Sequence, residues 1–357
     1  MASVQKHKAR WRVKWHVEGR AVYESFATKA EAETFARKVE ARILLDGTAP
    51  DVVDPDALTL AKWWSRWEPG RPWRASTRET HAVYWRRYIR PVFGRMPLDA
   101  ITTADVSRFH RRLEAKGLAP ATVAAVHRTL SMALQGALDD GLLTRNPARH
   151  AKLRRTPQPQ PVALDAPTTA SLIDAVAETT PGLDVFARLI AATGLRRAEA
   201  AGLMWDRVDL DAGVLIVDRQ LDYYVRAQPT WGPTKTNRTR RVLLTDTIVA
   251  ALRAHRKAQG VVAIRDALVF TRDDGSPWPR VALQKAWHKA AEKVALPAGA
   301  RGWHTLRHTT ASRLLEAGVP VAEAAEMLGH TPEMLLATYA HVTDRSAADA
   351  RLRAALT

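Results

Sequence analysis

The chain contains no cysteine, which excludes a disulfide framework, a thiol nucleophile and a thiolate metal site. Any covalent chemistry must therefore use another side chain. No apolar run approaches the roughly 18 residues that a membrane-spanning helix needs. The basic N-terminus leads into alternating residues and not into a continuous apolar segment, so it does not read as a secretory signal. A cytoplasmic, nucleoid-associated protein is expected. Glycine-rich phosphate loops, metal-ligand spacings and internal repeats are all missing, which argues against a nucleotide-driven machine and calls for no cofactor.

Acid is in short supply. Lys and Arg total 54 against 37 Asp and Glu, a net charge of +17. Such a balance suits a polyanionic partner such as nucleic acid, although arginines on solvated faces would give the same total. The excess peaks at +9 over residues 51–160, against +4 in each flanking stretch. With 357 residues the chain exceeds the size of a single core, about 250 residues, so several domains are expected.

Residues 1–50 predict a small antiparallel sheet followed by a helix. Trp11, Val13, Trp15 and Val17 alternate with polar residues, Glu18-Gly19 supplies a turn, and the chain returns through Val22 to Phe26. Thr28-Lys29-Ala30-Glu31 then has capping-box spacing, and Ala32, Phe35, Val39 and Ile43 recur at helical intervals up to Asp46-Gly47. This unit is either an accessory module or a small DNA-contacting arm that uses a sheet face rich in Lys, Arg and Trp.

Residues 57–150 predict an all-helical domain, with segments near 58–67, 76–89, 103–116 and 121–139. Ser76-Thr77-Arg78-Glu79 reads as a capping box, Pro91 and Gly94 as a stop, and Gly117, Pro120, Gly141 and Asn146-Pro147 as further boundaries. Arg74, Arg78, Arg86, Arg87, Arg90, Arg111 and Arg112, together with Arg71 and Arg108, give a density of cations suited to phosphate neutralisation. Residues 151–167 carry basic residues and four closely placed prolines, an extended connector. A mixed α/β domain follows over 168–357, with helices near 168–179 and 183–192, strands at 214–217, 241–244 and 267–270, and helices to the end.

The chemistry-bearing residues lie in this last domain. Gly194-Leu195-Arg196 opens a short helix. An Arg at that position opposes the helix dipole unless an anion binds there or an acid such as Glu199 offsets it. In His304-Thr305-Leu306-Arg307-His308, His304 and Arg307 share one helical face and can converge on one anion, with Leu306 toward the core. Leu328-Gly329-His330 places His330 at a helix–helix junction. Tyr339, between Thr338 and Ala340, is by itself either a packing residue or a nucleophile.

Taken in order, these strings resemble the tyrosine recombinases, or phage-integrase family. The resemblance implies a multidomain, mainly α fold with small β elements. Its parts would be an arm-type DNA-binding domain (1–50), a helical, SAM-like core-binding domain (57–150) and a mixed α/β catalytic domain (168–357). Residue by residue, Arg196 matches the family's first Arg, Lys235 its β-hairpin Lys, and His304 and Arg307 its first His and second Arg. His330 matches its second His and Tyr339 its nucleophile, while Glu199 matches a frequent supporting acid. Thr305 stands where Asp is common, and Arg238, Arg240 and Arg241 lie close enough to Lys235 to replace it as phosphate contacts.

The implied activity is site-specific integration or excision of a phage or other mobile element through a 3′-phosphotyrosyl intermediate, without metal or ATP. The implied partners are double-stranded attachment sites, a homotetramer on DNA and an excision or DNA-bending factor. In that picture His304 accepts or steers the tyrosine proton and Lys235 protonates the leaving 5′ oxygen. The alternatives are a catalytically silent DNA-binding regulator on the same fold and a type IB topoisomerase. The Ala-, Leu- and Arg-rich tail, 347–357, reads as a short amphipathic helix that docks on a neighbouring protomer or folds back.

Overall fold

A computed structural model describes residues 3–7, 10–17, 20–46, 58–154, 160–222, 230–234, 238–260, 267–339 and 353. The Glu18-Gly19 turn, Gly47, part of the connector, Lys235 and all of the tail except Arg353 lie outside the described residues. The chain forms two compact units, Met1–Thr156 and Pro157–Thr357.

The first unit begins with three antiparallel strands, β1 (Ser3–His7), β2 (Arg10–Val17) and β3 (Arg20–Phe26), in that spatial order. The sequence pattern predicts two of them; β1 escapes it because four of its five residues are exposed and it carries no apolar alternation. Alternation along β2 buries Val13 and Trp15 against Ala32, Ala36 and Val39 of helix α1 (Lys29–Asp46). The Thr28–Glu31 capping box forms, with each residue's backbone N–H donating to the other's side chain. Trp15 is buried, while Trp11 is half-buried with Lys29 over its ring, 5.7 Å from the centroid. Arg12 and Lys14 lie over the exposed Tyr23 ring, 5.5 and 5.8 Å from its centroid.

Further along the first unit are α2 (Leu60–Trp67), α3 (Ala75–Tyr84), α4 (Arg90–Phe93), α5 (Thr103–Ala115) and α6 (Pro120–Asp139). Tryptophans fill the core: Trp64 stacks on Trp85 at 4.6 Å, and Trp63 donates its indole N–H to the Ala133 carbonyl. Two local expectations fail here. Helix α3 starts one residue before Ser76 with no side-chain cap, so the Ser76–Glu79 box does not form. Pro91 does not stop the helix either, which ends instead at Gly94, the other half of the expected stop. A π-helical turn, Trp85–Ile89, widens the backbone ahead of the residue without an N–H, and the helix continues through α4.

In the second unit Leu164 is buried in the core and its N–H donates to Thr309 Oγ1. The end of the Pro-rich connector is thus packed structure, and α7 (Ala166–Thr179) already begins within its last two residues. Helix α8 (Asp184–Thr193) and the short α9 (Arg197–Ala201) precede a three-stranded antiparallel sheet ordered β4 (Val208–Asp209), β5 (Val214–Val217), β8 (Arg240–Leu243). A separate two-stranded sheet pairs β6 (Arg219–Asp222) antiparallel with β7 (Thr230–Pro233). The expected strand at 267–270 is only a bridge, Met204 opposite Leu268, in which two backbone bonds tie it to Leu203 and Trp205. Helices α10 (Asp246–Gln259), α11 (Arg280–Ala291), α12 (His304–Glu316), α13 (Val321–Leu328) and α14 (Pro332–Tyr339) complete the described residues. No described helix is long and apolar enough to cross a membrane.

Candidate active site

Two helix C-termini build the centre of the site. Helices α8 and α13 end at Gly194 and Gly329, whose positive φ values of 65° and 64° let the backbone turn away and leave terminal carbonyls unpaired within the helix. Arginines take those carbonyls. Arg307 Nη1 donates to Gly194 O at 2.6 Å, Arg307 Nη2 donates to Leu328 O, and Arg196 Nη2 donates to Gly329 O at 2.9 Å. The negative ends of two helices therefore hold both guanidiniums.

Glu199 locks the first of them. Its carboxylate accepts the Arg196 backbone N–H and Nη1, each at 2.9 Å, and a bidentate pair from Arg240 at 3.2 and 2.6 Å. Burial pushes this carboxyl up, but the Arg240 and Arg196 contacts outweigh it and hold the pKa at about 2. Arg240 is not the alternative phosphate contact that its position near Lys235 suggests. Its register opposite Val217 turns it into the core, where Nε donates to the Met327 carbonyl.

His330 Nε2 lies 2.7 Å from Arg307 Nη2. A guanidinium can only donate, so Nε2 accepts and the ring proton sits on Nδ1, a buried atom without a hydrogen-bond partner among the described residues. Burial, followed by Arg307 and Arg196, pushes the His330 pKa down to about 3. His304, the first residue of α12, keeps a solvent-exposed edge. Desolvation and then the charge of Arg307 nonetheless drive its pKa to about 4. Arg307 falls to about 9 through burial and the neighbouring Arg196, and still carries its proton at neutral pH. Three guanidiniums, one carboxylate and neutral imidazoles leave a net positive, partly desolvated cluster, a site for an anion.

Tyr339, at the end of α14, is 1 % exposed and belongs to a buried cluster with Ala311, Leu315, Ala325 and Leu335. Its hydroxyl hydrogen-bonds to His308 Nδ1, one turn beyond His304 on α12. His308 closes the string that begins at His304, yet neither its local pattern nor the family resemblance gave it a role. The available signal was spacing, because residues 304 and 308 share a helical face. Burial pushes the Tyr339 phenol up to about 12, and Arg307 offsets only part of that rise.

Residues 164–346 match the phage integrase family model, and residues 59–154 match the phage integrase central domain. The chain belongs to the phage integrase family. It is 26 % identical to a tyrosine recombinase XerC-like protein of Caldanaerobacter subterraneus subsp. tengcongensis, with 93 % of this chain and 91 % of the relative covered. An integrase of Streptomyces ambofaciens is 28 % identical over 85 % of this chain and 80 % of its own length. Among solved structures, the Tn1549 transposon integrase in complex with transposon right end DNA has a TM-score of 0.73 at 22 % identity, covering 84 % of this chain and all of that one. A lambda integrase tetramer bound to a Holliday junction gives 0.63 at 18 % identity, with 92 % of each chain covered. Both share the fold of this chain.

Five of the six family-matched side chains, Arg196, His304, Arg307, His330 and Tyr339, fall in this region, each within electrostatic or hydrogen-bonding reach of another. Lys235 lies outside the described residues. The described residues on either side of it are joined, since the Arg238 N–H donates to Thr234 Oγ1 at 3.1 Å. In the first unit, Arg90, Arg111 and Arg112 are exposed and Arg87 lies over the Tyr88 ring. Arg86 pairs with Glu79 at 3.0 Å. Arg74 occupies the N-cap of α3. Arg78 is committed to Glu68 and to the carbonyls of Glu68 and Arg71.

Proposed function

We propose that this protein is a site-specific DNA recombinase that cuts and rejoins strands at attachment sites of a mobile element, with Tyr339 as the nucleophile. The observation that carries this reading is the convergence of Arg196, Arg307 and His330 in one net-positive cluster, on the same group of helices as a tyrosine hydroxyl. Attack on a phosphodiester builds negative charge on the nonbridging oxygens. Guanidiniums fixed by helix-terminal carbonyls stabilise that charge without reorganising, and His330 Nδ1–H supplies a further donor.

Bond formation from Tyr339 Oη to phosphorus expels the 5′ oxygen, which takes a proton from Lys235, the family-matched acid. The 3′-phosphotyrosyl ester keeps the diester bond energy, so a partner strand's 5′ hydroxyl reseals it and releases the tyrosine. Exchange between two duplexes takes four protomers, a reading consistent with the junction-bound tetramer of lambda integrase. Base-contacting and phosphate-contacting roles go to the exposed arginines of the first unit.

A nicked duplex carrying the attachment site, found as a short repeat beside the gene, tests this. Wild type should form a denaturation-resistant protein–DNA adduct that Tyr339→Phe does not form. Site-specific binding with no adduct from wild type would instead support a silent regulator.

A further inference from the structure

We infer that His308 is a catalytic residue of this site, the base that takes the phenolic proton from Tyr339 during strand cleavage and returns it during religation; the inference rests on the recombinase reading above. The geometry is direct. His308 Nδ1 is the hydrogen-bond partner of Tyr339 Oη among the described residues, and the two rings lie 5.9 Å apart at 50°. His304, the histidine expected to steer that proton, makes no such bond.

Tyr339 needs a base. At its raised pKa of about 12, roughly one phenol in 10⁵ is ionised at neutral pH. His308 is available as one, since burial and then Arg307 push its pKa below the usual histidine value and keep the ring neutral. The titratable and charged groups acting on this pair are Arg307 and His304 on the same helix, His330 at the α13–α14 junction, and Tyr339 itself. A bound phosphodiester would offset the repulsion from Arg307 and strengthen His308 as a base once DNA is in place.

The step balances. The Oη–P bond forms as the P–O5′ bond breaks, the phenolic proton moves to His308 Nδ1, and the leaving 5′ oxygen receives a proton from the separate acid. In religation the 5′ hydroxyl gives its proton back to that same separate group and attacks phosphorus, the P–O5′ bond forms as the Oη–P bond breaks, and His308 returns its proton to the departing phenolate.

Single-turnover adduct formation on the nicked duplex tests this with wild type, His308→Gln and His308→Phe. Both variants should bind DNA as wild type does and form adduct about 10²- to 10⁴-fold more slowly, the usual range for loss of a general base. The wild-type rate should rise with pH to a plateau, whereas the variants should keep rising without one. Placing 3,5-difluorotyrosine at 339, a more acidic phenol, should recover at least about tenfold in His308→Gln. In the wild-type chain the same replacement should leave the pH break where it was, because the break belongs to His308. A break that moves down with the phenol's acidity overturns the inference even if the variants fail to fold. So does a His308→Gln protein with the wild-type rate and profile, while the Tyr339-dependent adduct keeps the recombinase reading intact. A wild-type chain that forms no adduct overturns both.

Discussion

Glu199 shows how much one buried side chain carries. It is the only carboxylate among the described residues that contacts both Arg196 and Arg240, and it is fully enclosed. Its folded pKa of about 2 lies below the ordinary 4.5, so its contribution is complete above pH 4.5 and is lost as pH falls toward 2. The shift corresponds to about 3 kcal/mol. Urea unfolding from pH 7 to 2 should show wild type losing that increment between about pH 4.5 and 2, while Glu199→Gln starts about 3–5 kcal/mol lower at neutral pH and lacks this component of the acid dependence. An identical acid slope in the two proteins would contradict the assignment. The acid was legible in the sequence because three-residue spacing from Arg196 on a short helix forces the contact. Arg240 was legible in principle, since strand alternation puts it on one face with Val242, both buried. Spacing put His308 on the face of His304, but its pairing with Tyr339 was not legible, because that partner lies 31 residues away and only the packing of α12 against the α13–α14 region brings the two together.

At the scale of elements, the long amphipathic segments and their caps were readable, and the departures have local causes. Strands β4, β6 and β7 have two to four residues, too few for an alternation to register, and are held by pairing rather than propensity. Pro91 reads as a helix stop unless the preceding turn widens, which sequence spacing does not reveal. Helix ends matter most for the site, because the carbonyls of α8 and α13 anchor its cations. Gly329 is the sharpest test. Its φ of +64° disfavours any side chain, and an added Cβ would lie 3.0 Å from Arg240 Nη1 and 3.2 Å from its Cζ. Gly329→Ala should therefore cost about 1–2 kcal/mol of stability. It should also lower adduct formation at least about tenfold by displacing the Gly329 carbonyl from Arg196 and the Arg240 guanidinium from Glu199. Calorimetry and single-turnover cleavage would measure the two effects separately. A control at Gly141, also at positive φ but with open space where a Cβ would stand, should show the stability cost without the loss of cleavage.

For the whole molecule the governing quantity is charge. The net +17 peaks over 51–160, the stretch that forms the helices of the first unit, and the Pro-rich boundary was visible as composition although Leu164 packs further into the second unit than that composition suggests. Ion release from DNA dominates the binding of such a surface, so affinity should fall steeply with salt. A footprint neutralising roughly 6–10 phosphates loses about 10³- to 10⁵-fold between 50 and 200 mM. The arginines should not contribute equally, because the structure already assigns some of them to intramolecular work. Arg111 and Arg112 are exposed on α5, so Arg111→Ala should weaken binding about equally on every sequence and reduce the slope of log affinity against log salt by about one. Arg78 is held by Glu68 and two backbone carbonyls. Arg78→Ala should leave the salt slope unchanged and lower the unfolding midpoint, because its loss unpins the turn between α2 and α3 rather than a phosphate. If both variants changed the slope equally, the ion pair seen in the free protein would have to open on DNA, and charge density alone would govern which arginines bind.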